Sequence, residues 1–285
     1  MSLAKPDLAM PLTPLAPGRW TTVAGDQWAN PGGGLWGGYA IGLAIRVLEA
    51  EPDAAGEALS LTLAYVAALP AGALDIRTRR IRQGGSVGFW EVEVLPEGSD
   101  DVGVHALVTM AQRPATPAFA FAAMPEAPDP ETLPRPELPS GARHYGASTF
   151  ERRGLEGFPP SPGANSRSLV WVRSLRGPFD KALLGMVTDN SAPRAFYALG
   201  PTVRTTTLTL TAYLHATAEE LAEVGDDFIL VECEGRVGGR GASDERSSYW
   251  RRDGKLLATS EQLAWYRERP GYSGGSPGFR GDERS

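Results

Sequence analysis

The chain has 285 residues, with 28 Lys+Arg against 34 Asp+Glu and a formal net charge of -6 at pH 7, which excludes a generally basic nucleic-acid coat. Its 34 glycines and 24 prolines stay short of the composition of low-complexity disorder, and 42% hydrophobic residues over this length can fill two cores. The single cysteine, Cys233, excludes an internal disulfide or a Cys-based zinc cluster, and His105, His144 and His215 show no metal-ligand spacing, so no cofactor or metal is expected.

The first twenty residues carry Lys5, Asp7 and four prolines without an apolar signal core, so a cytoplasmic location is expected. The uncharged stretch 31–45 is shorter than the roughly 20 apolar residues of a membrane span. Trp36, Tyr39, Ala40, Leu43 and Val47 then recur at helical spacing after the Gly32–Gly34 run, which predicts a loop feeding one helix of about four turns. Burial of its large side chains would contribute about 1.5–3 kcal/mol each before entropy is deducted. From Ala58 the pattern turns to period two, predicting a meander of four strands near 58–68, 74–83, 87–95 and 102–113. Residues 114–141 are rich in proline and read as a stiff, extended connector.

Beyond it, a strand over 168–175 leads to a helix with the stripe Phe179, Ala182, Leu183, Met186 and Val187, and Ser191-Ala192-Pro193 opens a further short helix. Strands are expected again near 204–215, 226–237, 245–251 and 255–267. The order repeats that of the first half. Leu61-Thr62-Leu63-Ala64-Tyr65 resembles Leu208-Thr209-Leu210-Thr211-Ala212-Tyr213, with Tyr65 and Tyr213 148 residues apart, and Gln112 matches Gln262 at an offset of 150. A tandem duplication of about 150 residues follows, with repeats at 1–113 and 142–268 and a mobile tail at 269–285. A helix with an apolar stripe and a sheet with one apolar face are both satisfied when the sheet wraps the helix. The expected fold class is therefore α+β, a double hotdog with the two sheets continuous.

Some motifs suggest chemistry without the context it needs. Gly84–Gly88 and Gly274–Gly278 both fit G-x-S-x-G, but neither has the strand, sharp turn and helix of a nucleophile elbow. Gly32–Gly37 fits G-x-G-x-x-G, yet no parallel strand follows, so a dinucleotide fold is rejected. Its glycines could still let a ligand approach backbone N–H groups at a helix start, or could simply form a tight loop. Cys233 reads as a small core residue, and His215 as a surface or hydrogen-bonded histidine.

Three polar residues of the second half stand out. Asp189 borders the apolar stripe at a helix C-terminus, where the macrodipole opposes a negative charge; capping of the next helix by Asp189-Asn190-Ser191 is the structural alternative. Gln262 shares its strand face with the small residues Ala258, Ser260 and Ala264, and Thr207 starts a threonine-rich strand. With Gly37-Gly38-Tyr39 opening the first helix, Arg82 through Ser86, Trp171-Val172-Arg173 and Leu256 through Gln262, the chain resembles the acyl-CoA thioesterase II (TesB-like) family of two fused hotdog repeats. The resemblance implies a water held by Asp189, Thr207 and Gln262, with any of Thr205 to Thr207 a candidate for the threonine.

Such chemistry needs an activated water and a place for the developing oxyanion, whereas a thiol with a pKa near 8.5 leaves with little help. Asp189 is the expected general base, with Gly37, Gly38 and Tyr39 the expected substrate-binding segment and backbone N–H groups near Gly37 and Gly38 polarising the carbonyl. The expected partner is an acyl-CoA substrate, with no nucleic acid and no membrane span, in a homodimer or higher homo-oligomer. A hotdog hydratase lacks its D-x-N-P-x-H arrangement here. A non-catalytic acyl-CoA-binding or regulatory protein is the other alternative.

Overall fold

A computed structural model describes residues 8, 10–30, 33–135, 149–163, 165–200 and 203–267. The expected tail at 269–285, with its G-x-S-x-G match, lies outside the described residues. The first half begins with β1 (Thr13–Ala16) and β2 (Arg19–Ala24), then helix α1 (Gly37–Ala50), β3 (Glu57–Tyr65), β4 (Gly72–Gln83), β5 (Val87–Pro96) and β6 (Val104–Ala111). The second half contains β7 (Phe150–Glu156), β8 (Ser168–Ser174), α2 (Lys181–Val187), α3 (Ala195–Leu199), β9 (Arg204–Leu214), α4 (Ala218–Val224), β10 (Ile229–Glu234), β11 (Gly238–Gly239), β12 (Ala242–Arg251) and β13 (Leu256–Arg267).

The described strands form one antiparallel sheet in the order β1-β2-β4-β5-β6-β3-β9-β13-β12-β10-β8-β7, with β11 on β12. The halves join through β3 and β9, where Thr62 opposes Thr211 and their hydroxyl oxygens lie 3.1 Å apart. This is the double hotdog read from the sequence, with one correction. The first-half strands are not a simple meander, because β3 pairs with β6 and β9 rather than with β4. Sequence neighbours in period-two runs do not reveal which edge each strand takes. Strands β1, β2 and β7 and helix α4 were also not anticipated, being short or interrupted by charge.

Both central helices are nearly apolar all round, as core helices must be. Ten of the 14 residues of α1 and all seven of α2 are buried, and the Asp180 carboxylate caps α2 by accepting from the Leu183 N–H at 2.9 Å. They cross antiparallel at a pair of glycines. A Cβ on Gly42 would meet Met186 Cγ at 2.7 Å, and one on Gly185 would meet Ile45 Cδ1 at 2.6 Å, so the helix axes are closer than any larger side chain allows. The N-terminal end of α1 is thereby brought to the residues after α2.

The proline-rich connector does more than span a distance. Its Met124, Ala127 and Leu133 pack on an outer-face cluster of Leu169, Trp171, Phe228, Leu230 and Trp250, and the Pro128 carbonyl accepts from Trp171 Nε1 at 3.0 Å. Among the described residues no helix is long and apolar enough to cross a membrane.

Candidate active site

Asp189 follows α2 in a tightening last turn, its N–H donating to the Met186 carbonyl at 3.3 Å. Two long-range bonds pin that turn. Trp36 Nε1 donates to the Asp189 carbonyl at 3.0 Å, and the Tyr249 hydroxyl to the Thr188 carbonyl at 3.3 Å. The carboxylate accepts from the Gly38 N–H at the start of α1 and from the Thr207 hydroxyl. Thr207 in turn accepts from Gln262 Nε2 at 2.8 Å, so Gln262, Thr207 and Asp189 form one hydrogen-bonded chain.

The sheet register selects the threonine. Thr207 opposes Ala264 and Thr209 opposes Leu263, which leaves Leu208 as the extra residue of a bulge. The bulge re-aims the strand, and it is Thr207 of the three threonines that bonds Gln262. Tyr65 of β3, which the sequence marked only as part of the repeat, completes the rim by donating from its hydroxyl to the Gly37 carbonyl at 3.1 Å.

Burial pushes the Asp189 pKa up to about 7, and the nearby Glu245 charge pushes in the same direction against the hydrogen bonds from Gly38, Trp36 and Thr207. A carboxyl poised near 7 can take a proton from water at neutral pH. The macrodipole conflict seen from α2 alone is relieved here, because the same carboxylate sits at the N-terminus of α1, where negative charge is favoured.

Gly37 and Gly38 are therefore at the site, but Tyr39 is not at its surface. Tyr39 is 0% exposed and packs on Trp28 with ring centroids 5.2 Å apart, since the next residue of a helix turns about 100° away from the site. Gly38 also differs from expectation, because its N–H faces the Asp189 carboxylate rather than standing free for a ligand carbonyl. Cys233 is buried and its thiol is pushed up to about 12 by that burial, which makes it the inert core residue expected. Gly84 to Val87 forms the β4–β5 turn, with the Gly84 N–H donating to the Val87 carbonyl at 2.7 Å. His215 lies 3.1 Å from the Thr259 hydroxyl.

The duplication gives an internal control, after a correction. Gln112 is exposed just beyond β6 and is not the counterpart of Gln262. Bulge residues Leu59 and Leu208 align the repeats: Ala58, paired with Met110, matches Thr207, paired with Ala264. Leu59 is therefore not the partner of Thr207 that the 148-residue offset suggests. Val108, paired with Leu61, matches Gln262, paired with Leu210. Loops of unequal length between strands shift a constant offset by several residues. Counting from the crossing glycines, Arg46 matches Asp189 and Asp180 matches Gly37, and those two form an ion pair at 2.5 Å. The first repeat thus carries Arg46, Ala58 and Val108 where the second has Asp189, Thr207 and Gln262.

Families built on this fold are told apart by sequence. The acyl-CoA thioesterase N-terminal domain matches residues 25–111 and the acyl-CoA thioesterase C-terminal domain matches residues 121–266. The chain belongs to the acyl-CoA thioesterase family. This thioesterase is similar in structure to a hot dog fold protein of unknown function from Alicyclobacillus acidocaldarius, at 22% identity over 91% of this chain and 96% of that one, with a TM-score of 0.84. An acyl-CoA thioesterase II from Mycobacterium marinum gives 19% identity, 92% and 98% coverage and a TM-score of 0.71. A tesB protein from Mycobacterium avium subs paratuberculosis gives 16%, 90% and 95%, and 0.72. At these identities the structures speak for the shared fold. No curated protein matches by sequence. The thioesterase is a thioester hydrolase, and its family membership implies an acyl-CoA substrate.

Proposed function

We propose that the thioesterase hydrolyses an acyl-CoA to the free acid and CoA at one site per chain, through a water held by Asp189, Thr207 and Gln262. The observation that carries this reading is the Gln262–Thr207–Asp189 hydrogen-bonded chain at the N-terminus of α1, which is absent from the equivalent positions of the first repeat. Asp189 takes a proton from the water as it attacks the thioester carbon. The tetrahedral oxyanion accepts from the second Gln262 amide hydrogen, the first being donated to Thr207, and collapses as the C–S bond breaks, the proton on Asp189 passing to the CoA thiolate. No covalent acyl-enzyme is formed.

A cavity of about 20 Å³ has Asn190 and Ser191 in its wall, directly after the base, and an apolar floor of Val170, Val172, Val187 and Val231. At that volume it holds about one water molecule and no acyl chain. A wider groove of about 600 Å³ lies elsewhere, lined by outer-face residues such as Tyr213, Glu232 and Arg246, and contains none of the three site residues. The test is release of free thiol from acyl-CoA substrates of graded chain length, by the wild type and by Asp189→Asn. Loss of about 10²–10⁴ in kcat is expected for removal of a general base; near-full activity would take Asp189 out of the reaction and leave the binding-protein alternative.

A further inference from the structure

Glu245 is the most unusual residue near the site. It stands in β12 directly opposite Gln262 of β13, and cross-strand partners present their side chains on the same face. It is only 6% exposed. Its neighbours on that face, Ser243, Ser247 and Tyr249, are also buried. A carboxylate at such a position costs stability unless it is paired. Its partner is Arg194, 5% exposed, with Nε 3.3 Å from Glu245 Oε2.

Arg194 is itself fixed from several sides. Its Nε donates to the Ala192 carbonyl at 2.9 Å, and its Nη1 donates to the Ser166 carbonyl at 2.8 Å, the Ser168 hydroxyl at 3.1 Å and the Cys233 carbonyl at 3.3 Å. Its guanidinium also lies over the Tyr197 ring, 4.4 Å from the centroid. Glu245 therefore cannot swing away from the site without leaving a buried cation behind.

The first repeat shows that the fold does not require this pair. Trp90, paired with Val108, occupies the position of Glu245, paired with Gln262, and Trp90 is a buried core residue. An apolar side chain serves the sheet equally well there. The charge appears only in the repeat that also holds Asp189, Thr207 and Gln262, directly across the strand pair from the Gln262 that donates to Thr207, and it pushes the Asp189 pKa upward.

We propose that Glu245, anchored by Arg194, is a positioning residue that acts through Asp189, its buried carboxylate setting the proton affinity of the base. This rests on the assignment of Asp189 as the base. Two carboxylates in one dry site resist ionising together; burial raises Glu245 itself while the Arg194 charge opposes that rise, and when Glu245 is ionised Asp189 is a stronger base than its own surroundings would make it. The other groups facing the pair do not titrate with it. Burial raises Tyr65 on β3, Cys233 on β10 and Tyr249 on β12 above their ordinary values, Arg152 on β7 is hydrogen-bonded to Asn190, and Asp244 is held low by Val237 and Arg236 hydrogen bonds that outweigh its burial.

The test is the pH profile of kcat/KM for acyl-CoA hydrolysis by wild type, Glu245→Gln, Glu245→Asp and Asp189→Asn, at matched folded fractions. Glu245→Gln should move the acid limb to lower pH by about one unit and lower the plateau as the base weakens, whereas Glu245→Asp should restore the wild-type limb. Should Glu245→Gln fail to fold, the charge-balanced Glu245→Gln/Arg194→Met replaces it and should shift the limb in the same direction. An unmoved limb in the folded variant overturns the proposal while leaving Asp189 as the base. Full activity in Asp189→Asn would overturn the assignment beneath it instead.

Discussion

The Asp189 carboxylate, just past the end of α2, and Gly37, the first residue of α1, belong to different repeats, yet a Cβ on Gly37 would lie 2.7 Å from Asp189 Oδ2 and 3.0 Å from the Tyr65 ring. Glycine at 37 is thus a requirement of the site rather than of the helix, since its φ is not in the left-handed region. Gly37→Ala should leave the fold intact, because alanine favours a helix start at least as well, while displacing the carboxylate. A loss of up to about a hundredfold in kcat/KM is expected, with an unchanged circular dichroism spectrum. Equal activity would show that the carboxylate position is not critical.

Asp189 also carries a pH signature in stability. Its pKa stands at about 7 in the folded chain against an ordinary value of 3.8, so the folded state binds the proton more tightly than the unfolded state does. The associated stability is present below pH 3.8 and is lost as pH rises towards 7. Asp189→Asn cannot ionise and should escape that loss. Denaturant melts at pH 5 and pH 8 should show the variant gaining on the wild type at the higher pH, as expected where function costs stability. A difference independent of pH would argue that the carboxyl titrates normally.

The two glutamines now separate clearly. Gln262→Ala removes the donor to Thr207 and should reduce turnover by about 10². Gln112 is exposed and lies beyond its strand, so Gln112→Ala should change stability by no more than about 0.5 kcal/mol and leave turnover unaltered. Steady-state kinetics and urea melts of both variants check this, and comparable losses of turnover would mean that both repeats take part.

Much of this protein was legible in one dimension. The apolar stripes of α1 and α2, the period-two strands and the recurrence of Leu61–Tyr65 as Leu208–Tyr213 are local patterns, and they dictate a helix wrapped by a sheet, twice. Asp189 beside an apolar stripe and Gln262 among small residues stood out locally, whereas Thr207, in a run of threonines, was singled out only by the family resemblance. Glu245 was not visible, because it stands at the edge of the expected 245–251 strand, where a charge reads as a solvated boundary; β12 in fact begins at Ala242 and places it inward. The tertiary structure alone decided which threonine of Thr205 to Thr207 reaches Gln262, because a bulge depends on the partner strand. It alone showed that Val108, not Gln112, matches Gln262, because pairing follows hydrogen bonds and not residue count. It alone placed a carboxylate from the end of one helix at the start of another. That last placement follows from two glycines 143 residues apart, Gly42 and Gly185, whose contact lets the helices approach and whose meaning no local pattern contains.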